Sequence, residues 1–150
     1  MYKHILIPTD GSELSERAVR DGVRLAEALG ARVTGFYARR EPRIGHPTAD
    51  EWDPAAYEAS VSQLEAVFGK EAQQRLAFIE NEARSAGVPC ESLSTVSDSP
   101  FEAIMRAATE TGCDLIFMAS HGRRGISGML LGSETMHVLT HCKIPVLVYR

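Results

Sequence analysis

The sequence is short of the features that mark membrane and secreted proteins. No apolar run approaches the roughly 18 residues of a membrane-spanning helix, and the first residues, MYKHILIPTDGS, hold too short an apolar run for a signal peptide. Cysteine is scarce: Cys90, Cys113 and Cys142 form no C-x-x-C pair, which is typical of reduced thiols in the cytoplasm. We therefore expect a soluble, cytoplasmic protein that has no membrane partner.

Positive charge is not in excess either, since the formal net charge is -4. A protein that binds nucleic acid over its whole surface is usually basic, so we expect no nucleic-acid partner. The chain has 150 residues, of which 44% are hydrophobic and 24% charged, as in ordinary globular proteins. A chain of this length buries roughly 70% of its unfolded surface, and we predict one domain over residues 1–150.

Internal repeats and low-complexity tracts are absent, and short apolar runs alternate with longer segments of helical periodicity. Strands are predicted at 4–8, 31–38, 88–96, 114–119 and 144–149, and helices between Ser12 and Gly30, over 54–86, between Ser99 and Gly112, and over 133–142. This alternation indicates an α/β fold with a doubly wound five-stranded parallel sheet and helices on both faces, as in Rossmann-like proteins. The most apolar strands, 4–8 and 114–119, belong in the centre and the strands near Pro89 and Pro145 at the edges, which gives the order 3-2-1-4-5.

Several helix starts carry residues that favour capping. Ser12 is a predicted N-cap, and Ser99 is a second one, followed by Pro100 at the first helical position and by Glu102, which completes a predicted capping box. Ser133 is predicted both to cap the last helix and to offer a hydroxyl to a ligand. The segment between the second strand and the long helix shows no periodicity, and we expect a mobile loop there.

Glycine is concentrated in one segment, MASHGRRGISGMLLGS at 118–133, which follows the fourth predicted strand. In the predicted sheet order this segment meets the PTDGS turn at 8–12, at the switch point where doubly wound sheets bind ligands. Glycine lets a backbone approach a ligand closely, and the start of the last helix presents amides and the positive end of its dipole. These features favour a bound anion, such as a phosphate, while the alternative is a long flexible connection. The pattern is not that of a Walker A loop, because no lysine precedes Ser133.

With ILIPTDGS near the start and MASHGRRG, LLGS and PVLV near the end, the whole chain resembles a universal stress protein. The nucleotide-binding branch of that family has the pattern G-x-x-G, nine residues, then G-S or G-T. Gly122, nine intervening residues, Gly132 and Ser133 match the pattern, whereas Ala119 stands where the family has its first glycine.

The resemblance implies that ATP or AMP, with Mg²⁺, binds in this crevice. Phosphates would lie on the amides of Gly122, Gly132 and Ser133, with Glu134 and Thr135 in the first helical turn beside them; Pro8, Thr9 and Asp10 would line the adenosine side, and Tyr37 or Ala38, together with Met118, would contact the adenine. Asp10 would accept ribose hydroxyls or hold Mg²⁺, unless it is only a turn residue. Core packing is the alternative for the adenine contacts.

Two further groups near the crevice have open roles. Arg123 and Arg124 are placed to clamp phosphates, with a solvated loop face as the alternative. His121 is expected to donate to the phosphates or to support the loop. His137 and His141, beside Cys142, have too few partners in register for a zinc site.

The last strand, 144–149, is apolar and lies at a sheet edge. The resemblance implies a homodimer in which two such strands pair antiparallel across a two-fold axis; the alternative is that the loop at 39–53 covers this edge or serves as a lid. It also implies a nucleotide-responsive module of the stress response, with unidentified client proteins and at most slow ATP hydrolysis. A nucleotide-free family member that acts through protein contacts, and a phosphohydrolase or nucleotidyl transferase, remain the alternatives.

Overall fold

The computed structural model describes residues 1–45, 48–122 and 131–150. Its sheet contains β1 (His4–Pro8), β2 (Arg32–Arg39), β3 (Cys90–Val96), β4 (Leu115–Ala119) and β5 (Val146–Tyr149). Every neighbouring pair is parallel, and the order is β3-β2-β1-β4-β5. The predicted fold class and strand order are therefore confirmed. The carboxyl ends of all five strands meet at one edge of the sheet, which we call the carboxyl edge.

Within the described residues, four α-helices connect the strands: α1 (Glu13–Leu29), α2 (Pro54–Ser85), α3 (Pro100–Glu110) and α4 (Ser133–His141). A short 3-10 helix, Ala49–Glu51, lies in the connection for which we expected only loop. The connection also carries an ion pair between Arg43 and Asp98, 2.5 Å apart, which ties it to the end of β3. Since β3 and β5 lie at opposite edges of the sheet, this contact does not place the loop over β5.

Alternation along the central strands divides the core between the two faces of the sheet. Ile5 and Ile7 of β1 point to the face covered by α1 and α2, where they pack with residues such as Val19 and Ile79. Leu6 points to the opposite face, which α3 and α4 cover. Strands that are buried on both sides explain the continuous apolar runs in the sequence.

Helix α2 is longer than the sheet that it covers. Ile79 lies over Gly35, where a Cβ would come within 3.0 Å of the isoleucine side chain, and Gly69 lies near the guanidinium of Arg39, the last residue of β2. The helix therefore runs antiparallel to β2, and its residues 54–68 extend past the carboxyl edge by about 22 Å at 1.5 Å per residue. The buried residues of α2 all follow this overhang: Ala72, Ile79 and Ala83.

The predicted caps are correct for α1, whereas for α3 the positions of Ser99 and Pro100 are confirmed and the predicted capping bond of Ser99 is not formed. Ser12 accepts a hydrogen bond from the amide of Ser15, and Gly30 ends α1 in the left-handed conformation with φ of 62°. Ser99 does occupy the N-cap position of α3, but its side chain makes no capping hydrogen bond. Instead the carboxylate of Glu134, from α4, accepts the amide of Phe101 at 2.9 Å. A neighbouring helix has taken the role that local spacing assigned to Ser99 and Glu102.

Candidate functional site

The turn between β1 and α1 is held by its own short side chains. Pro8 is the buried last residue of β1, and the amide of Thr9 donates to the carbonyl of Phe36 at 2.9 Å. The Thr9 hydroxyl accepts the amide of Gly11 at 3.1 Å and lies 3.0 Å from the hydroxyl of Ser15. Thr9 is buried, and its hydroxyl stabilises the turn through these two contacts.

Asp10 joins this turn to the glycine-rich segment. Its Oδ1 accepts the amide of Ser12 at 2.9 Å, an Asx turn that fixes the carboxylate. Its Oδ2 lies against Gly122, so closely that a Cβ at position 122 would overlap it. Gly122 is therefore needed for the approach of a carboxylate from the other loop. The contact confirms that the two glycine-bearing loops converge at the carboxyl ends of β1 and β4.

The residues after β4 close the glycine-rich segment at its base. The amide of Ser120 donates to the carbonyl of Tyr149 at 2.7 Å, and the carbonyl of Ser120 accepts the amide of Gly132 at 2.7 Å. A Cβ at position 132 would lie 3.1 Å from the Cα of His121, so glycine lets α4 begin directly against the end of β4. Both ends of the segment 121–131 are thus fixed to one residue, Ser120.

This hydrogen bond involves one of the amides predicted to bind phosphate. The amide of Gly132 already donates within the protein, so the backbone donors left for a ligand at the start of α4 belong to its first turn. Gly132 is the N-cap of α4, and Ser133 is the first helical residue, not the cap that we predicted. Because glycine has no side chain, the N-cap offers no side-chain acceptor to the amides of Ser133, Glu134 and Thr135. A helix start of this kind favours a negative ligand.

Two side chains in the first turn of α4 form hydrogen bonds with other parts of the protein. The buried hydroxyl of Thr135 donates to the carbonyl of Ala119 at 3.0 Å, and the carboxylate of Glu134 accepts the amide of Phe101. These bonds fix the start of α4 to β4 and to α3. Sequence reasoning placed both residues near the ligand but missed these long-range bonds, for which the sequence contains no local signal.

The predicted adenine contacts and the family departure lie at the ends of the strands. Met118 is buried in the core cluster under α3 and α4, which Ala38 also contacts. Tyr37 is half-buried near the end of β2. Ala119 is 9% exposed and belongs to the cluster under α1 and α2. Its methyl group therefore packs into the core, and the departure from the family pattern does not obstruct the crevice.

The polar residues predicted beside the phosphates are described only in part. The Nδ1 of His121 lies 3.1 Å from the hydroxyl of Ser120, a contact that supports the closed base of the segment. Arg123 and Arg124 lie outside the described residues, and their predicted phosphate contacts stay predictions. His137 and His141 lie against the ring of Phe101.

Sequence reasoning gave no role to Arg75 of α2, although its side chain reaches the turn. Its guanidinium lies across Gly11, whose φ is 73°, and its Nη1 is 3.5 Å from the Gly11 carbonyl. No spacing rule predicts a contact between residues 64 positions apart. The only sign of this contact in the sequence is the glycine at position 11 itself.

Within the residues that the structure describes, no group of three His, Cys, Asp or Glu side chains is arranged to hold a metal ion. No helix in the same described portion has the length and apolar character needed to cross a membrane.

Comparison with known proteins gives one consistent family. The sequence model of the universal stress protein family matches residues 1–150. A universal stress protein of Methanocaldococcus jannaschii is 30% identical over 151 residues, covering 100% of this chain and 83% of that protein. The solved structure of the hypothetical protein MJ0577 from the same organism has a TM-score of 0.80 at 29% identity, covering 99% of this chain and 96% of that one. A universal stress protein in complex with cAMP has a TM-score of 0.67 at 27% identity, covering 99% and 97%.

Proposed function

Because this chain belongs to the universal stress protein family, we propose that it binds an adenine nucleotide, ATP or AMP, in the crevice where β1 and β4 end. The observation that carries the proposal is the start of α4. There a helix N-terminus without a side-chain cap faces the carboxyl edge, next to the meeting point of Asp10 and Gly122. The related structure that holds cAMP supports an adenine nucleotide as the class of ligand.

The first-turn amides of α4 supply the phosphate contacts in this proposal. The amides of Ser133, Glu134 and Thr135 act with the helix dipole, while the amide of Gly132 stays with Ser120. Asp10 repels phosphate, so it serves the ribose hydroxyls or a magnesium ion that arrives with ATP. Magnesium in nucleotide sites keeps several waters and needs only one or two carboxylates besides the phosphates, so a single aspartate fits this role.

We propose that nucleotide occupancy is the signal that this protein carries in the stress response, and that ATP hydrolysis, where it occurs, is slow. A homodimer through β5 is part of the proposal, since Leu147 is 38% exposed on this edge strand and an apolar edge favours pairing. Sedimentation equilibrium is expected to give twice the chain mass of 16.4 kDa, and Leu147→Lys is expected to give the monomer. A monomeric wild-type protein would contradict this part.

The nucleotide site is tested by thermal unfolding after bound nucleotide has been removed. With 1 mM Mg-ATP, a micromolar site adds about 4 kcal/mol, which raises the midpoint by roughly ten degrees for a chain of this size. No shift with ATP, ADP or AMP would refute the proposal. Steady multiple-turnover release of phosphate or AMP, abolished in Asp10→Ala, would identify an enzyme instead.

A pair of proline variants locates the phosphates. Ser133→Pro removes one amide at the first helical position, where proline is well tolerated, and is expected to lose most of the nucleotide shift. Glu13→Pro is the matched control, because it also stands first in its helix and the preceding N-cap has nearly the same conformation: φ -72° and ψ 157° before Glu13, φ -72° and ψ 158° before Ser133. Ser133→Ala then separates the hydroxyl from the amide. Equal shifts in the two proline variants would remove α4 from the site.

A further inference from the structure

Arg75 occupies the space that a side chain at position 11 would need. A Cβ on Gly11 would overlap the Cζ and Nε of Arg75, and the φ of 73° independently disfavours other residues there. The end of the Arg75 side chain therefore packs directly against the backbone of the β1–α1 turn, which also carries Asp10. The Nη1 of Arg75 also donates to the Gly11 carbonyl in a long hydrogen bond of 3.5 Å.

The charge of Arg75 is held in place beneath the turn. The side chain is 30% exposed and pairs at 3.7 Å with Glu71, one helical turn away. Its Nε is buried and has no hydrogen-bond partner among the described residues. Burial of an unpaired donor on a cation is costly, so the position of Arg75 is not explained by local stability alone.

Contacts run without a gap from α2 to the glycine-rich segment. Arg75 lies on Gly11, the neighbouring Asp10 is fixed by the amide of Ser12, and its other oxygen lies against Gly122. A ligand that engages Asp10 must act on the turn that rests on Arg75. At the other side of that contact, α2 continues into the overhang at 54–68.

We propose that Arg75 is a positioning residue for the nucleotide site and couples its occupancy to the overhang of α2. The proposal rests on the function proposed above and adds the route by which the bound nucleotide changes a distant surface. Arg75 acts through the shape of the Asp10–Ser12 turn and does not itself contact the nucleotide. Coupling is reciprocal, so a change at Arg75 alters nucleotide affinity, and nucleotide binding alters the overhang.

The chain contains its own reporter for this coupling. Trp52 is the single tryptophan; it stands just before α2, and its ring centroid is 5.1 Å from that of Tyr57. The indole is half-exposed, so its emission responds to a change in the packing of the overhang. Mg-ATP is therefore expected to change Trp52 emission in the wild-type protein, although Trp52 lies in a different segment from the residues proposed to bind it.

The test compares Arg75→Met, Arg75→Lys and Arg84→Met in calorimetric titrations with Mg-ATP and in Trp52 emission at saturating Mg-ATP. Methionine keeps the unbranched aliphatic stem and removes the charge, whereas lysine keeps the charge and lacks the planar guanidinium group. Arg84→Met is the control, because Arg84 lies in the last turn of α2, far from the overhang, and donates a hydrogen bond to Asn81. Both changes at position 75 are expected to weaken ATP binding about tenfold, the size of one contact to a charged group, and to abolish the Trp52 response at saturation. The control is expected to match the wild type in both.

Each other outcome has a distinct meaning. Full affinity in Arg75→Met, or a Trp52 response that persists in saturated Arg75→Met, overturns the proposal while leaving the nucleotide site intact. Affinity restored by lysine shows that charge alone acts, and rejects the positioning role. A wild-type protein that binds no nucleotide refutes the proposed function, and the role of Arg75 with it. Should Arg75→Met fail to fold, Arg75→Lys still decides between the positioning role and simple charge.

Discussion

Replacement of Glu134 tests whether one helix is capped by another. The carboxylate of Glu134 stands in the first turn of α4 and accepts the amide of Phe101 in the first turn of α3. Glu134→Ala removes this acceptor and leaves a half-buried amide without its partner. The same change takes a negative charge from the amino ends of two helices at once. We therefore expect a larger loss of stability than a single exposed glutamate would give.

The magnitude follows from these separate effects. Loss of an N-cap acceptor costs about 1 kcal/mol, and loss of a favourable charge at a helix amino end costs roughly 0.3 to 1 kcal/mol for each helix. The free energy of unfolding of Glu134→Ala is thus expected to fall by about 2 kcal/mol, or roughly 4 to 8 °C in the midpoint for a chain of this size. Glu134→Gln keeps an acceptor and loses only the charge, so it is expected to lose about half as much.

Urea unfolding followed by circular dichroism measures these differences, with Ser99→Ala and Glu102→Ala as controls. The sequence assigns the cap of α3 to Ser99 and Glu102, whereas the structure gives the side chain of Ser99 no capping bond. Both controls are expected to stay within about 0.5 kcal/mol of the wild type. If Ser99→Ala costs as much as Glu134→Ala, the local capping box forms in solution and the contact between the helices does not matter.

Two other predictions concern the core and the pH dependence of stability. Ile79→Ala is expected to lower the free energy of unfolding by about 2 to 5 kcal/mol, because Ile79 is fully buried over Gly35; Val67→Ala, on the exposed overhang of the same helix, is the control, and equal losses in urea unfolding would contradict the packing. Burial lowers the pKa of His4, and the charge of Arg32 lowers it further, against opposing effects of Asp114 and Glu91. Below the ordinary pKa of about 6.5 the unfolded chain binds a proton at His4 that the folded chain does not bind. The free energy of unfolding is therefore expected to fall as the pH drops, by at most about 1.4 kcal/mol per pH unit. His4→Gln should reduce this dependence of stability on pH between pH 7.5 and 5.5, and an unchanged dependence would exclude His4 as its source.

The fold was predictable because its determinants are local or periodic. Continuous apolar strands, helical spacing and the prolines near the outer strands were enough to give the order of the sheet. The same topology predicts, without any knowledge of side-chain contacts, that the two glycine-bearing loops meet at one crevice. Capping by Ser12 and Gly30 was also predictable, since each cap involves only neighbouring residues.

The missed features all depend on residues far apart in the chain. Glu134 meets Phe101 across 33 positions and Arg75 meets Gly11 across 64, and no periodicity encodes such pairs. Glycine at 122 and 132 was predicted to let the backbone approach a ligand, and the structure shows that each glycine makes room for a neighbouring part of the protein. A glycine pattern in a sequence shows that something approaches closely, and only the fold shows what it is.

The hydrogen bond from Gly132 to Ser120 has a consequence for how this family can diversify. It joins the two ends of the segment 121–131 whatever lies between them, and doubling the length of a closed flexible loop costs only about 0.6 kcal/mol. Residues can therefore be added or removed between Gly122 and Gly132 at little cost to the free energy of folding. A change of length in this stretch therefore needs few compensating substitutions elsewhere in the chain.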